Sequence, residues 1–321
     1  MKKCCIIYNE PLPGALEDEL DVIDQVIHVE QGFKDLGIEV YRKGFTENFM
    51  DEVKALISEK PDFVYNLVES INNKGELNYF VPALLSLNGI PYAGNSHEAI
   101  FLTTSKILAS RMMKMAGISN PGCFLPSEIN ELTRGKKYIL KPIWEDGSLR
   151  ITADNVFICE PGFEKKIDGL SDSHWFIEEF IEGREFNMSV FSGPDGPEVL
   201  PVAEIVFKDW DDSKPRIIDY NAKWVDGSFE FDNTVRDFPG EKLDAVVTEK
   251  LRKVALDCWK LFGLKGYARV DARVDSSNNV YVIEINANPC IQPNGGFMAA
   301  TRQGGYPFTE VLQRIINDLN I

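Results

Sequence analysis

The sequence predicts an α/β protein, with a parallel sheet first and mixed α and β layers after it. Two observations carry that expectation. Over roughly the first 95 residues, short apolar runs alternate with helical patterns, the rhythm of a parallel sheet joined by crossover helices. Further on, residues 266–296 read GYARVDARVDSSNNVYVIEINANPCIQPNGG, two alternating runs around a polar break, which is a β-hairpin signature. At 321 residues and 44% apolar content, the chain can build a real core in one large or two to three small domains.

Taken in order, residues 4–8 (CCIIY) form a short buried strand and residues 9–14 a Pro/Gly loop. Val22, Val26, Val29, Phe33 and Leu36 are spaced 4-3-4-3, one face of a helix over 17–36, and Gly37 stands where a C′ glycine belongs. Residues 38–41 form a strand, 51–59 a helix, 63–68 a strand and 77–87 a helix closed by Gly89. No G-x-G-x-x-G fingerprint follows a strand, so no dinucleotide site is expected here. A helix opens at Thr103-Thr104-Ser105-Lys106 and runs to Ala116, with Gly117 and Pro121 after it. Read alone, Lys106 is as readily a solvated helix charge as a ligand. Residues 138–142 (YILKP) put Lys141 inside an apolar strand, where a lysine is seldom buried without a partner; the plain alternative is a snorkelling edge lysine. Glu145-Asp146-Gly147-Ser148 is a turn whose backbone N–H groups can cradle an anion, although Asp-Gly turns are common. A strand over 175–180 is broken at Glu182-Gly183, and Glu185, Asn187 and Ser189 then share one strand face. Residues 200–207 read as a strand. Residues 243–261 and 309–319 are amphipathic helices, most simply core packing.

In the hairpin, Arg269, Asp271 and Arg273 share one face, and Val282, Glu284 and Asn286 share one face. If Asp275 pairs with Val280 around a four-residue loop, Asp271 lies opposite Glu284 and Arg269 opposite Asn286, with Cβ atoms about 5 Å apart. Two carboxylates that close need positive charge between them. Mg²⁺ suits, since it takes oxygen ligands, usually one or two carboxylates plus phosphates. The plain alternative is a two-stranded ribbon with a salt-bridged polar face. Asn286-Ala287-Asn288-Pro289 and its Gly-containing loop suit a strand end that presents groups to a ligand better than a continuing sheet.

Charge and cysteine usage narrow the class. Lys and Arg number 34 and Asp and Glu 50, for a net charge of −16. Such a chain repels phosphate backbones, so no nucleic-acid partner is expected. The six cysteines (Cys4, Cys5, Cys123, Cys159, Cys258, Cys290) show no CxxC spacing and read as free thiols of a reducing, cytoplasmic compartment. The apolar run after Lys2-Lys3 is too short for a signal peptide, and no run approaches the ~20 apolar residues of a membrane span.

The hairpin resembles the last core segment of the ATP-grasp ligases, particularly the D-alanine–D-alanine ligase family. The G-R-x-D strand of that family corresponds to Ala268-Arg269-Val270-Asp271, and its E-x-N strand with x-x-P to Glu284-Ile285-Asn286 and Pro289. The likeness extends through most of the chain. Lys106 precedes Gly117 by eleven residues, as a phosphate-binding lysine does in these ligases, and Lys141-Pro142 matches their K-P. Glu145 to Ser148 stands where the family has a mobile loop over the phosphates. Glu178, Ile181, Gly183 and Glu185 fit E-x-x-[IL]-x-G-x-E, the crossover that binds adenine. Residues 218–224 resemble the Y-[DE]-Y-x-x-K-Y lid; Lys223 fits, and Trp224 stands where Tyr is usual.

The resemblance implies an α+β ATP-grasp fold: a pre-ATP-grasp domain over 1–97, a small central domain over 98–180 and a C-terminal domain over 181–321, the last two clamping ATP. It implies carboxylate–amine ligation, in which a carboxylate takes phosphate from ATP and an amine displaces it, giving an amide, ADP and phosphate. In that scheme Arg269, Lys223 and Ser148 are catalytic, with Arg269 on the oxyanion of the tetrahedral intermediate. ATP is held by Lys106, Lys141, Glu178, Glu179, Phe180, Ile181, Glu185 and Lys223. The backbone of Glu179 and Ile181 meets adenine, and Glu185 meets the ribose. Asp271, Glu284 and Asn286 hold Mg²⁺, as two ions, with Mn²⁺ able to substitute. The partners are a small carboxylate and an amine, amino acids by the family's habit, with no membrane partner; a homodimer is compatible with that habit.

The amino-acid half departs from the pattern. The family's G-G-x-S-x-E segment is Asn9-Glu10-Pro11-Leu12-Pro13-Gly14 here, and its L-H-G is Leu67-Val68-Glu69-Ser70, without His. Cys290 and Gly295 take the places of a Gly and of a carboxylate-binding Ser. Glu69, Gln292 and Asn294 are the residues left to supply such contacts. An altered substrate is therefore expected, with D-alanine–D-alanine ligation proper, a small-molecule kinase and a nucleotide-binding pseudoenzyme as the other readings.

Overall fold

The structure, a computed structural model, describes residues 2–46 and 48–319. Three sheets organise it. The first contains β1 (Lys3–Asn9), β2 (Glu39–Phe45), β3 (Phe63–Leu67) and β4 (Tyr92–Ala93), all parallel, in the order β2-β1-β3-β4. The unbroken apolar run of β1 is explained by its central place, since a parallel strand is buried on both faces. Helices α1 (Glu17–Asp35), α2 (Phe49–Glu59) and α3 (Phe80–Leu87) cover the sheet. The stripe on α1 is buried as its spacing predicts, through Val22, Val26, Val29 and Phe33.

Two helices follow, α4 (His97–Thr104) and α5 (Lys106–Met115). The second sheet is antiparallel: β5 (Cys123–Phe124), β6 (Lys137–Pro142), β7 (Val156–Ile158) and β8 (Trp175–Glu179), in the order β5-β8-β6-β7. The third sheet contains β9 (Arg184–Gly193), β10 (Gly196–Val199) and β11 (Ala203–Phe207). After α6 (Tyr220–Trp224) and α7 (Phe229–Asn233) it adds β12 (Thr234–Asp237), and after α8 (Ala245–Leu261) it adds β13 (Tyr267–Val274) and β14 (Val280–Asn286). Its order is β12-β11-β9-β13-β14, with β10 paired to β9, and α9 (Gly296–Gln303) and α10 (Phe308–Asn317) complete the chain.

Packing ties these parts together. Helices α4 and α5 bury Ala99, Ile100, Ala109 and Met113 in the core of the third sheet, beside Phe186, Val270 and Val282. The first sheet and α1 share a core with Phe297, Val311, Leu312 and Ile315 of α9 and α10. Asn95, buried, donates to the carbonyls of Tyr267 (2.7 Å) and Ala287 (2.6 Å) and accepts from the Lys265 N–H (2.6 Å). One side chain thus fastens the end of the first sheet to the hairpin. All six cysteines are unpaired, and no helix among the described residues is long and apolar enough to cross a membrane.

Several boundaries differ from expectation for local reasons. Val274, not Asp275, pairs with Val280, so the hairpin loop is one residue longer than expected. The register shifts by one between Asp271 and Ala272, which restores the Asp271–Glu284 and Arg269–Asn286 pairings. That bulge turns Val282 into the core, so it does not share a face with Glu284. Thr103 and Thr104 end α4 rather than opening α5, because Ser105 is extended between the two helices. Residues 75–77 form a 3₁₀ turn before α3, and the strand expected over 200–207 begins at Ala203. The lid segment is helical: the Asp219 side chain caps α6 by accepting from the Ala222 N–H at 2.9 Å.

Gly183 joins the second and third sheets at φ +147°, and a Cβ there would lie 2.0 Å from the Val274 carbonyl oxygen. Gly183→Ala should lower stability by about 3 kcal/mol, since backbone strain and a clash with fixed backbone add. A thermal midpoint equal to wild type would show that this junction is not constrained.

Candidate active site

The candidate residues converge from separate segments onto one face of the third sheet. Asp271 and Glu284 lie directly opposite on β13 and β14. Arg269 grips Asp271 through two parallel bonds, Nε to Oδ1 and Nη2 to Oδ2, both 2.8 Å, and Asn187 on β9 donates to Oδ1 at 2.8 Å. Lys106, at the start of α5, reaches Glu284 at 3.0 Å, Asp146 at 2.7 Å and the Glu145 carbonyl at 2.8 Å. Burial alone would raise Glu284, but Lys106 first, then Lys223 and Arg269, hold its carboxyl down at about 2. Glu284 is therefore ionised throughout the neutral range. Burial and the nearby Arg269 lower Lys223 from the ordinary lysine value, while Glu284, Asp271 and Asp146 oppose that drop. Asn286 is on the same face, with its amide oxygen accepting from the Asn288 N–H at 2.9 Å.

The remaining candidates come from the second sheet, the loop after β6, the start of the third sheet and α6. Lys141 is not a snorkelling lysine: it is paired at 2.5 Å with Glu178, which is itself buried. The Glu179 N–H is given to the Gly122 carbonyl, and its carboxylate meets Lys136 at 2.9 Å. Phe180 is buried against Ile139, Ile151 and Ile217 and carries the Arg273 guanidinium over its ring. Arg273, 4% exposed, also donates to the carbonyls of Ile181 (2.7 Å) and Arg216 and meets Glu185 at 3.3 Å. Glu185, Asn187 and Ser189 share their face as expected, but all three are buried rather than solvated. Ser148 has φ +62°, and its hydroxyl donates to the Ile218 carbonyl at 2.7 Å. Trp224 donates from its indole nitrogen to the Gly147 carbonyl at 2.8 Å, which fastens the loop after β6 to α6.

Sequence reasoning passed over the cleft wall formed by α1. Asp21 accepts from Gln25 Nε2 (3.0 Å) and the Cys290 thiol (3.2 Å), and Gln25 Oε1 accepts from the Ile291 N–H (3.1 Å). Burial pushes Asp21 up, and burial with the Asp21 charge keeps Cys290 a protonated donor. Glu69 retains solvent contact yet faces Asp21 and Asp146, and burial with those charges lifts it to about 7. The 218–224 segment meets this wall, where the Tyr220 hydroxyl donates to Asp18 at 3.1 Å. The only signal available was an i, i+4 polar pair, Asp21 and Gln25, beside an apolar stripe, which a solvated helix face also shows.

Three sheets with such a polar face on the last of them suit a class, the ATP-grasp ligases, and comparison with known proteins narrows it. Residues 167–317 match the family model for the D-ala D-ala ligase C-terminus. The D-alanine–D-alanine ligase of Carboxydothermus hydrogenoformans is 31% identical over 251 residues, covering 74% of this chain and 75% of that protein. The one from Aquifex aeolicus is 28% identical over 297 residues, 90% of this chain and 92% of the relative. The crystal structure of the Bacillus anthracis D-alanine–D-alanine ligase complexed with ATP superposes with a TM-score of 0.73 at 21% identity, over 98% of this chain and 96% of that one. The chain belongs to the D-alanine–D-alanine ligase family of ATP-grasp ligases.

Proposed function

We propose that this ATP-dependent, amide-forming ligase joins a small carboxylate to an amine through an acyl phosphate, with amino-acid substrates that differ from two D-alanines. The observation that carries the chemistry is the meeting of Lys106, Lys223 and Arg269 with Asp271 and Glu284 on one face, from α5, the lid and the hairpin. Preorganised positive charge of this kind suits a reaction that develops negative charge on phosphate and on a carbonyl oxygen.

The donor set fits Mg²⁺. Two carboxylates and one amide oxygen share a face. That is the count expected of a metal that completes its shell with phosphates and water. Asp271, Glu284 and Asn286 would hold it, and its charge would offset that of the triphosphate. Lys106 and Lys141 would face the phosphates, and Ser148 and the 145–148 turn would cover them. Adenine would meet the Glu179 carbonyl and the Ile181 N–H, since the opposite groups of those residues bond Gly122 and Arg273. Glu185 would meet the ribose, with Arg273 holding its carboxylate. Arg269 would turn part of its fork from Asp271 to the oxyanion, with Lys223 beside it. We further propose domain limits at 97/98 and 180/181, with the second sheet as the jaw that closes.

Nucleotide binding tests this directly. A ligand that binds only the folded state adds RT ln(1 + [L]/Kd), about 2.7 kcal/mol at ~100 Kd. ADP or a non-hydrolysable ATP analogue should raise the thermal midpoint, and more so with Mg²⁺. No shift at millimolar nucleotide would sink the assignment.

A further inference from the structure

The geometry points to Asp146 as an internal stand-in for nucleotide phosphate: its carboxylate occupies Lys106 until a phosphate oxygen displaces it. This rests on the role proposed above for Lys106. A lysine ammonium has three donors. In Lys106 two are given to the Glu145 carbonyl and to Asp146, the ammonium is ion-paired with Glu284 at 3.0 Å, and its side chain is 11% exposed. Three acceptor groups thus crowd an ammonium that is almost wholly enclosed, and a phosphate oxygen gains Lys106 by displacing one of them.

The three acceptors are not equally fixed. Glu284 is anchored in a sheet strand. Asp146 lies in an irregular loop and its side chain is 45% exposed. It also shares one lysine with a second carboxylate, an arrangement that like-charge repulsion weakens. The loop itself is held in disfavoured backbone: Ser148 and Arg150 have φ of +62° and +61°. Its fastenings to the lid are few, the Ser148 hydroxyl to Ile218, the Trp224 indole to Gly147 and the Tyr220 N–H to Ile151. The acidic side chain is thus the acceptor that leaves. The swap trades one anion for another at Lys106, so the lysine is never buried without a counter-charge.

Such a device lowers apparent affinity by the fraction of molecules in which Lys106 is free; engagement in about nine molecules of ten weakens nucleotide binding about tenfold. Isothermal titration of the full chain with ADP, without and with Mg²⁺, tests it on wild type, Asp146→Asn, Lys106→Met and the double variant. Asp146→Asn keeps size and is expected to tighten ADP about tenfold without Mg²⁺, and Asp146→Ser must act in the same direction. In the Lys106→Met background the gain should vanish, since there is no ammonium left to free. Unchanged or weaker binding by the Asp146 variants overturns the inference, as does tightening that persists without Lys106, which is generic charge removal. Wild type that binds no nucleotide overturns the ligase assignment and the inference with it. Wild type that binds while Asp146→Asn matches it overturns the inference alone.

Discussion

Glu284→Gln is expected to abolish turnover while leaving the fold in place. The change preserves size and removes the one carboxylate on which Lys106, Lys223 and Arg269 jointly act. Its consequences for packing are small, because the side chain is 27% exposed and Lys106 keeps Asp146 and the Glu145 carbonyl. Its consequences for chemistry are large. Three cations would face the substrate with one compensating anion fewer, and the proposed metal would lose a charged ligand. Loss of one preorganised electrostatic partner typically costs about 100- to 1000-fold in rate. ADP release should fall by at least that factor with circular dichroism close to wild type, while the thermal midpoint falls somewhat, because the native state loses the attraction that holds the Glu284 carboxyl down. Turnover near the wild-type rate would move the metal site elsewhere on the molecule.

The second large effect concerns substrate. D-alanine is expected to be at least about 100-fold poorer in kcat/KM than the best member of a panel of L-, D- and β-amino acids, since each unpartnered buried polar group costs about 1–3 kcal/mol. Asp21, Gln25 and Cys290 bond one another beside the exposed Glu69, a set that differs from the family's Glu and His. At Gly295, where the family has the carboxylate-binding Ser, even a Cβ would lie 3.0 Å from the Cys290 carbonyl oxygen and 3.1 Å from that of Gln292. A side chain at 295 would thus require those two carbonyls to give by a few tenths of an ångström, and the glycine itself brings no hydroxyl. ADP release with D-alanine alone, and mass spectrometry of the products, decides the matter. Efficient synthesis of D-alanyl-D-alanine as the dominant product would show that this cleft still serves the familiar pair.

What could be read from residues alone follows the range of the interactions. The opposition of Asp271 and Glu284 was legible because strand alternation is local and the loop is short. The bulge that preserves it was not, because one added loop residue and one bulged residue cancel in the count. Lys141 stood out as a lysine in an apolar strand, but its partner Glu178 lies 37 residues away, on a strand whose pairing no local pattern states. Arg273 shows the same limit: the hairpin gives its face, while its carbonyl partners at Ile181 and Arg216 depend on three chain segments meeting. The helical lid, by contrast, had a usable local signal, Asp219 as a capping acid three residues before Ala222.

The core shared by the first sheet and the last two helices also decides when the polypeptide can fold during its synthesis. Nascent domains generally fold in order of emergence from the ribosome. Here Val26, Val29 and Phe33 of α1 share their core with residues of the first sheet and also with Phe297, Val311, Leu312 and Ile315 near the other end of the chain. Gly32 brings the two helices so close that a Cβ there would lie 2.4 Å from the Leu312 side chain. The first ninety-odd residues therefore leave the ribosome with one layer missing, and they wait through translation of everything between. A nascent chain arrested before residue 296 should display a protease-sensitive leading segment that becomes resistant once residues 296–317 are exposed.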